Sequence, residues 1–298
     1  MIDQRLKELG GTRFAARGEG DAREDLSGQF HAWFDELWPE VGQALDLDID
    51  FTEAAEAAPL YDVKIAESVT ANPVALQAGA MPMTITANEE LQNKKGKNAS
   101  ERSTRHIEVK LPDDVTYLPG DHLCVVPVNS PELVLRALER FGFDTETYIR
   151  VNVEGGRRSP FPNGSTFSLK RLAEVYGELQ AVATRKDIGI LASNTRCPNS
   201  QKTLRAWAAP PKDGVDLYRD EVLLKRRSVL DILELYPACE LPFAIYLEMI
   251  PFLTPRYYSI SSAPSHKPGH CSITVGVVKS AALSGCLLYT SPSPRDRG

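Results

Sequence analysis

The chain has 298 residues, 42% hydrophobic and 25% charged, which is the balance of a folded globular protein of one to three domains. Its formal net charge of −6 argues against non-specific nucleic-acid binding, and no apolar run reaches membrane-spanning length. Five scattered cysteines with no Cys-x-x-Cys pair speak against a zinc site or a disulfide framework, and with no signal peptide at Met1–Arg5 they fit a reducing, cytoplasmic setting.

Met1 to Leu9 reads as a helix broken by Gly10-Gly11, with Thr12 to Ala15 as a short strand. An acidic, Gly-containing loop follows at Arg17 to Asp25. Leu26 to Leu45 is helical, because Phe30, Trp33, Phe34, Leu37, Trp38 and Val41 recur at spacings of three and four. Pro39 predicts a kink or two shorter helices, and the aromatic stripe is read as core. Residues 46 to 80 turn acidic and Ala-rich, the composition of an extended linker, with Tyr61 to Ser68 as a short extended segment.

From Met83 the period changes to two. Met83 to Leu91 and Thr104 to Leu111 read as strands, separated by the basic loop Lys94 to Asn98. Turns at Pro112-Asp113-Asp114 and Pro119-Gly120-Asp121 lead into an apolar strand at Leu123 to Pro127. His122 beside Asp121 is read as a turn pair rather than a catalytic one, since no nucleophile is near in sequence. Residues 130 to 250 then show helical periodicity. Ser130 and Pro131 supply an N-cap and first position for a helix to Phe141, with Leu133, Leu135, Leu138 and Phe141 apolar. Further helices are expected at Ser168 to Tyr176, Thr184 to Ser193, Val215 to Tyr236 and Phe243 to Phe252, and a loop at Arg157 to Gly164. Lys225-Arg226-Arg227 is by default a solvated surface cluster.

Pro255-Arg256-Tyr257-Tyr258-Ser259-Ile260-Ser261-Ser262 is a β-favouring run carrying a guanidinium, two phenols and several hydroxyls. Such a strand can hold a flat ring with a phosphate tail, the phenol packing on the ring and the guanidinium fork on phosphate. An ordinary amphipathic strand would look the same. A second strand is expected at Ser272 to Val278, and the segment from Cys286 to Gly298, with two Ser-Pro repeats, reads as a disordered tail.

Taken together, Ser103 to Val109, Gly120-Asp121-His122-Leu123, Tyr236-Pro237-Ala238-Cys239-Glu240 and Pro255 to Ser262 resemble the diflavin reductases. They are most like the reductase half of bacterial self-sufficient cytochrome P450–NADPH-P450 reductase fusions. Arg17 to Ala22 with Trp33 resembles the end of that family's flavodoxin-like FMN domain.

The resemblance implies an α+β fold. The C-terminal remnant of a flavodoxin-like α/β domain (1–48) and a linker (49–80) would precede a ferredoxin-reductase-type antiparallel β-barrel (81–285). A helical connecting domain would be inserted at about 130–250, and residues 286–298 would be foreign to the family. It implies FAD as cofactor, with Arg256 on the pyrophosphate and Tyr258 stacked on the isoalloxazine. Ser259, the catalytic candidate, would sit near flavin N5, and Tyr257 would lie between these positions. Thr274, Val275 and Gly276 would approach through the backbone. Arg226 stands where the family uses an Arg on FAD, and Arg102 where relatives place a basic residue near NADP. No metal site is implied in the chain itself.

FMN and NADPH in the parent, and heme in a P450 domain fused upstream, complete the implied electron path of a fatty-acid-type monooxygenase. The partners are then the P450 and FMN domains, with neither nucleic acid nor membrane, and a homodimer of the parent is left open. The chain is expected to be a fragment without the NADPH domain, itself inactive. A sulfite reductase flavoprotein, a stand-alone P450 reductase and a scaffold without flavin are the alternatives.

Overall fold

The structure, a computed structural model, describes residues 2–21, 26–47, 59–68, 80–153, 161 and 163–277. The expected 286–298 tail and most of the acidic linker and of the Arg157–Gly164 loop lie outside these residues.

In chain order the elements are α1 (Ile2–Glu8), α2 (Leu26–Leu45), β1 (Tyr61–Ala66), β2 (Ile85–Glu90), β3 (Ser103–Lys110), β4 (His122–Val125), α3 (Pro131–Arg140), β5 (Tyr148–Val153), β6 (Ser165–Ser168) and α4 (Leu169–Val175). After them come α5 (Arg185–Ser193), α6 (Pro198–Ala208), a π-helical turn at Arg219–Leu223, α7 (Val229–Leu235), α8 (Phe243–Met249), β7 (Arg256–Ser259) and β8 (His270–Val277).

The chain divides into two compact units. One comprises residues 1–59, 182–227 and 236–241, the other residues 60–181, 228–235 and 242–298. In the first unit, α2 runs unbroken through Pro39 rather than splitting there. Its aromatic rings meet along the helix, Phe30 stacked on Phe34 at 5.5 Å and Phe34 edge-on to Trp38 at 5.3 Å. The stripe is not closed core, since Phe30 and Trp38 stay 50% and 38% exposed. Thr12 to Ala15 forms no strand. The loop before α2 is tied to it, with Trp33 Nε1 donating to the Ala16 carbonyl at 2.9 Å. Gly18 lies so close to that indole that a Cβ would come within 2.7 Å of the ring.

Helix α5 starts with a capping box between Thr184 and Asp187. The Arg185 guanidinium beside it pairs with Asp216 at 2.6 Å and lies 4.4 Å from the Tyr218 ring centroid.

The second unit holds the strands. They form three antiparallel sheets, ordered β1-β5-β6, β2-β3-β8 and β4-β7. A mixed fold with antiparallel sheets was expected, but the expected barrel does not close: among the described residues no ladder joins the β1-β5-β6 sheet to the others. Strands β4 and β7 pair over only four residues, and the β2–β3 ladder shifts register between Ile85 and Ala87. Beyond the end of β7 an isolated bridge between Ile260 and Ile273 meets β8, and Ser261 N donates to the Ser272 carbonyl at 2.7 Å beside it. These two strands are therefore not a hairpin, although they follow one another in sequence.

The span read as a helical insertion also carries β5 and β6; β5 pairs with β1 on one side and with β6 on the other. Helix α3 has the expected Ser130 cap but a different inner face. Leu133, Val134, Ala137 and Leu138 are buried, and Leu135 is exposed.

Candidate functional site

Strand β7 sets the geometry. Its period of two puts Arg256 and Tyr258 on one face and Tyr257 and Ser259 on the other. Paired antiparallel with β4, Arg256 lies opposite Val125, Tyr257 opposite Cys124, Tyr258 opposite Leu123 and Ser259 opposite His122. Arg256 and Tyr258 line a cavity of about 340 Å³ together with Asn129, Ser130, Leu133, Glu178 and Leu253.

The Arg256 guanidinium donates through Nη1 to Thr254 Oγ1 at 3.0 Å and through Nη2 to Glu178 Oε2 at 2.8 Å. Asn129, which is buried, donates from Nδ2 to the carbonyls of Ala173 at 2.7 Å and Gly177 at 2.6 Å. It thereby answers carbonyls left over at the end of α4.

Tyr258 is 9% exposed and packs with Ile273 and Val275 against Ile107 and Leu123. The ring presented to the surface is Tyr257, at 57%. It lines a larger apolar cleft of about 1050 Å³ that also takes in Met83, Ile85, Leu123, Phe252 and Ile273. Tyr176 lies on the same cleft within an aromatic cluster of Phe161, Phe167 and Phe252, and burial pushes its phenol up to about 12.

The structure brings most of the sequence-derived candidates together. Arg256, Tyr257, Tyr258 and Ser259 share β7. The bridge at Ile260 and Ile273 carries the end of that strand to β8, where Thr274 Oγ1 lies 3.4 Å from Ser261 Oγ. Ser259 and Thr274 are exposed, Val275 is buried behind Tyr258, and Gly276 is half-buried opposite Thr104.

Arg102 precedes β3 and lies beside the C-terminal end of β8, next to Ser103, which is opposite Val277. It is exposed and lines a polar groove of about 600 Å³ with Glu90, Lys94, Ser103, Arg105 and Val277. Lys94 Nζ donates to its carbonyl at 2.5 Å. Arg226 belongs to the other compact unit, where it is exposed with φ 49°.

The surface cluster expected at 225–227 is only partly one. Lys225 and Arg227 both pair with Glu221, at 2.5 and 3.0 Å, and Arg227 also lies over the Trp207 ring at 5.3 Å. Sequence reasoning missed Glu178 and Asn129. Neither sits in a motif, and each acts on groups far away in sequence.

Among the described residues Cys239 and Cys271 are buried, Cys124 is exposed and Cys197 half-buried, and these four are free thiols. Asp121 Oδ2 accepts from the Leu118 N–H at 2.8 Å, so it holds the turn as expected. Among the described residues no cluster of three His, Cys, Asp or Glu could hold a metal, and no helix is long and apolar enough to cross a membrane.

Two comparisons bear on this site. Bifunctional cytochrome P450/NADPH–P450 reductase 1 of Bacillus subtilis is 41% identical over 296 residues, which is 99% of this chain and 27% of that protein. The corresponding protein of Bacillus cereus is 39% identical, covering 95% of this chain and 26% of its own length. That of Fusarium oxysporum is 31% identical, covering 96% and 25%. The chain thus spans about a quarter of the length of these relatives. Residues 75–288 match the family described as the FAD binding domain, a span that contains the three-sheet unit's β2 to β8 and the Arg256 cavity. The chain belongs to the FAD binding domain family.

Proposed function

We propose that this chain is the FAD-binding part of an NADPH–cytochrome P450 reductase module, in a parent that passes electrons from NADPH through FAD and FMN to a fused P450 heme. The observation that carries the reading is the shared face of Arg256 and Tyr258 on β7, opening on one cavity. The donor set fits the cofactor. A guanidinium with N–H groups to spare suits a pyrophosphate, and a phenol on the same strand face suits a ring.

In this reading Arg256 binds the FAD pyrophosphate and Tyr258 meets the ring where it lines the cavity. Tyr257 and Ser259 border the opposite face, with Ser259 as the hydroxyl near the reacting edge. Thr274, Val275 and Gly276 contribute backbone from β8. Arg226 is assigned to FAD, and Arg102 to the nucleotide of NADPH, on the resemblance alone. Bound FAD would supply the redox chemistry, exchanging electron pairs on one side and single electrons on the other. The protein's own part is to bind, orient and shield.

The residues before the linker belong in this proposal to the end of a flavodoxin-like FMN domain, and the three sheets to a ferredoxin-reductase-type barrel. The free thiols support a cytoplasmic setting.

Titration of the purified chain with FAD, followed by flavin fluorescence, tests the reading. Losing a charged hydrogen bond costs about 1.5–3 kcal/mol. Arg256→Ala is therefore expected to weaken FAD binding roughly tenfold to a hundredfold. An unchanged Kd would overturn the assignment.

A further inference from the structure

We propose that Glu178 is a positioning residue for Arg256, aiming its guanidinium at the phosphate it receives. The inference rests on the reading that Arg256 binds the FAD pyrophosphate.

Glu178 is itself held in place from several sides. It follows α4, where Asn129 grips the carbonyl of the preceding residue, Gly177, at 2.6 Å. Gly177 bridges to Phe252, Leu253 N donates to the Tyr176 carbonyl at 2.6 Å, and Glu178 N donates to the Pro251 carbonyl at 2.8 Å. The segment carrying Glu178 is thus laid alongside the residues that lead into β7. Its carboxylate reaches Arg256 Nη2 at 2.8 Å, the two side chains being 18% and 26% exposed. Thr254 takes Nη1 through both its hydroxyl at 3.0 Å and its carbonyl at 3.3 Å.

A guanidinium has five N–H groups in a fixed plane. Three acceptors from Thr254 and Glu178 fix that plane and leave Nε and the second Nη2 hydrogen without an acceptor among the described residues. A long side chain that is free to rotate loses that freedom when it binds phosphate; one already held does not. The pair is also neutral as a unit. Attraction for a pyrophosphate therefore comes from directed N–H groups rather than from net charge, which makes the aim of the guanidinium decisive.

A carboxylate beside a phosphate also repels it, and the two effects predict opposite results. If positioning dominates, Glu178→Ala weakens FAD binding by about tenfold, the loss of one well-made contact. Glu178→Gln keeps an acceptor oxygen for Nη2 and removes the charge, so it restores binding to within about threefold of the parent or tighter. Thr254→Val, a change at an exposed position that leaves folding intact, removes the other side-chain acceptor and weakens binding by a smaller factor. In an Arg256→Ala background, Glu178→Ala has no further effect.

FAD titration of these variants, with circular dichroism melting of each chain as the folding control, decides the matter. Tighter binding by Glu178→Ala, or a Glu178→Gln chain as weak as Glu178→Ala, overturns the inference, as does a Glu178 effect that persists without Arg256. Should Glu178→Ala fail to fold, Glu178→Gln and Thr254→Val carry the test: weakening in Thr254→Val with binding retained in Glu178→Gln supports it, and the reverse refutes it. If Arg256→Ala itself leaves FAD affinity intact, the phosphate reading fails first, whatever the Glu178 variants do.

Discussion

Arg226 shows what a run of like charges conceals at the scale of the residue. Lys225, Arg226 and Arg227 look equivalent in sequence, and a solvated cluster is the natural expectation. The π-helical turn at Arg219–Leu223 ends just before them, and the backbone turns sharply at Arg226. Arg227 N bonds to the Val222 carbonyl at 3.0 Å and Arg226 N to Leu223 at 3.1 Å, and Arg226 takes φ 49°. Its neighbours converge on Glu221, whose carboxyl is held below its usual range, first of all by the bond from Lys225. Among the described residues the Arg226 guanidinium makes no hydrogen bond or ion pair. A left-handed backbone costs an L-residue on the order of 1–2 kcal/mol, whereas glycine adds about 0.5–1 kcal/mol of unfolded-state entropy. Arg226→Gly is thus expected to be neutral or stabilising by less than about 1 kcal/mol in urea denaturation, although it removes a charged side chain. Destabilisation beyond that would show that the side chain holds its turn.

At the scale of the element, the sequence was most legible where a local signal fixes both ends. Ser130-Pro131 marked α3, and alternation over Thr104 to Leu111 marked β3. It was least legible where the signal was outweighed or thin. Ile149 and Val151 are fully buried and alternate as a strand should, yet they lie within a span dominated by helical spacing. Helix α6 offers only Leu204 and Trp207 as buried positions, too few to set a period.

The β2–β3 connection illustrates a further feature that no pattern announces. Glu90, at the end of β2, accepts from Ser103 Oγ at 2.5 Å and from the N–H groups of Thr104 and Gln92, both at 2.9 Å. These bonds, the one from Ser103 foremost, hold its carboxyl down at about 2, from an ordinary 4.5. A depressed carboxyl stabilises the fold above its unfolded value, and that contribution is lost as pH falls through the folded one. The melting-temperature advantage of the parent over Glu90→Gln is therefore expected to be full near neutrality and to shrink between pH 4.5 and about 2. A gap independent of pH across that window would show that the bonds, rather than the charge, carry the effect.

At the scale of the whole molecule, what escapes the sequence is which strand meets which. β7 and β8 follow each other, yet they pair with β4 and β3, and the bridge at Ile260 and Ile273 meets β8 only beyond the end of β7. Side chains supply the coupling that the ladder lacks. One buried cluster gathers Val109, Leu111, Tyr117 and Cys271, and another gathers Tyr258, Ile273 and Val275. Ile107 and Leu123 touch both. Ile273 is the hub, since it is 3% exposed, lies opposite Ile107 in the β3–β8 register, bridges to Ile260 and backs the ring of Tyr258. Truncating it leaves a void that the surrounding strands can close only by moving β7 relative to β8. Ile273→Ala is therefore expected to cost about 2–5 kcal/mol, seen as a lower urea midpoint at unchanged m-value. It should also weaken FAD binding under conditions where the chain remains folded, because Tyr258 loses its backing. A cost below about 1 kcal/mol would mean that the two sheets are held independently. The Arg256 face would then be set by β4 and β7 alone.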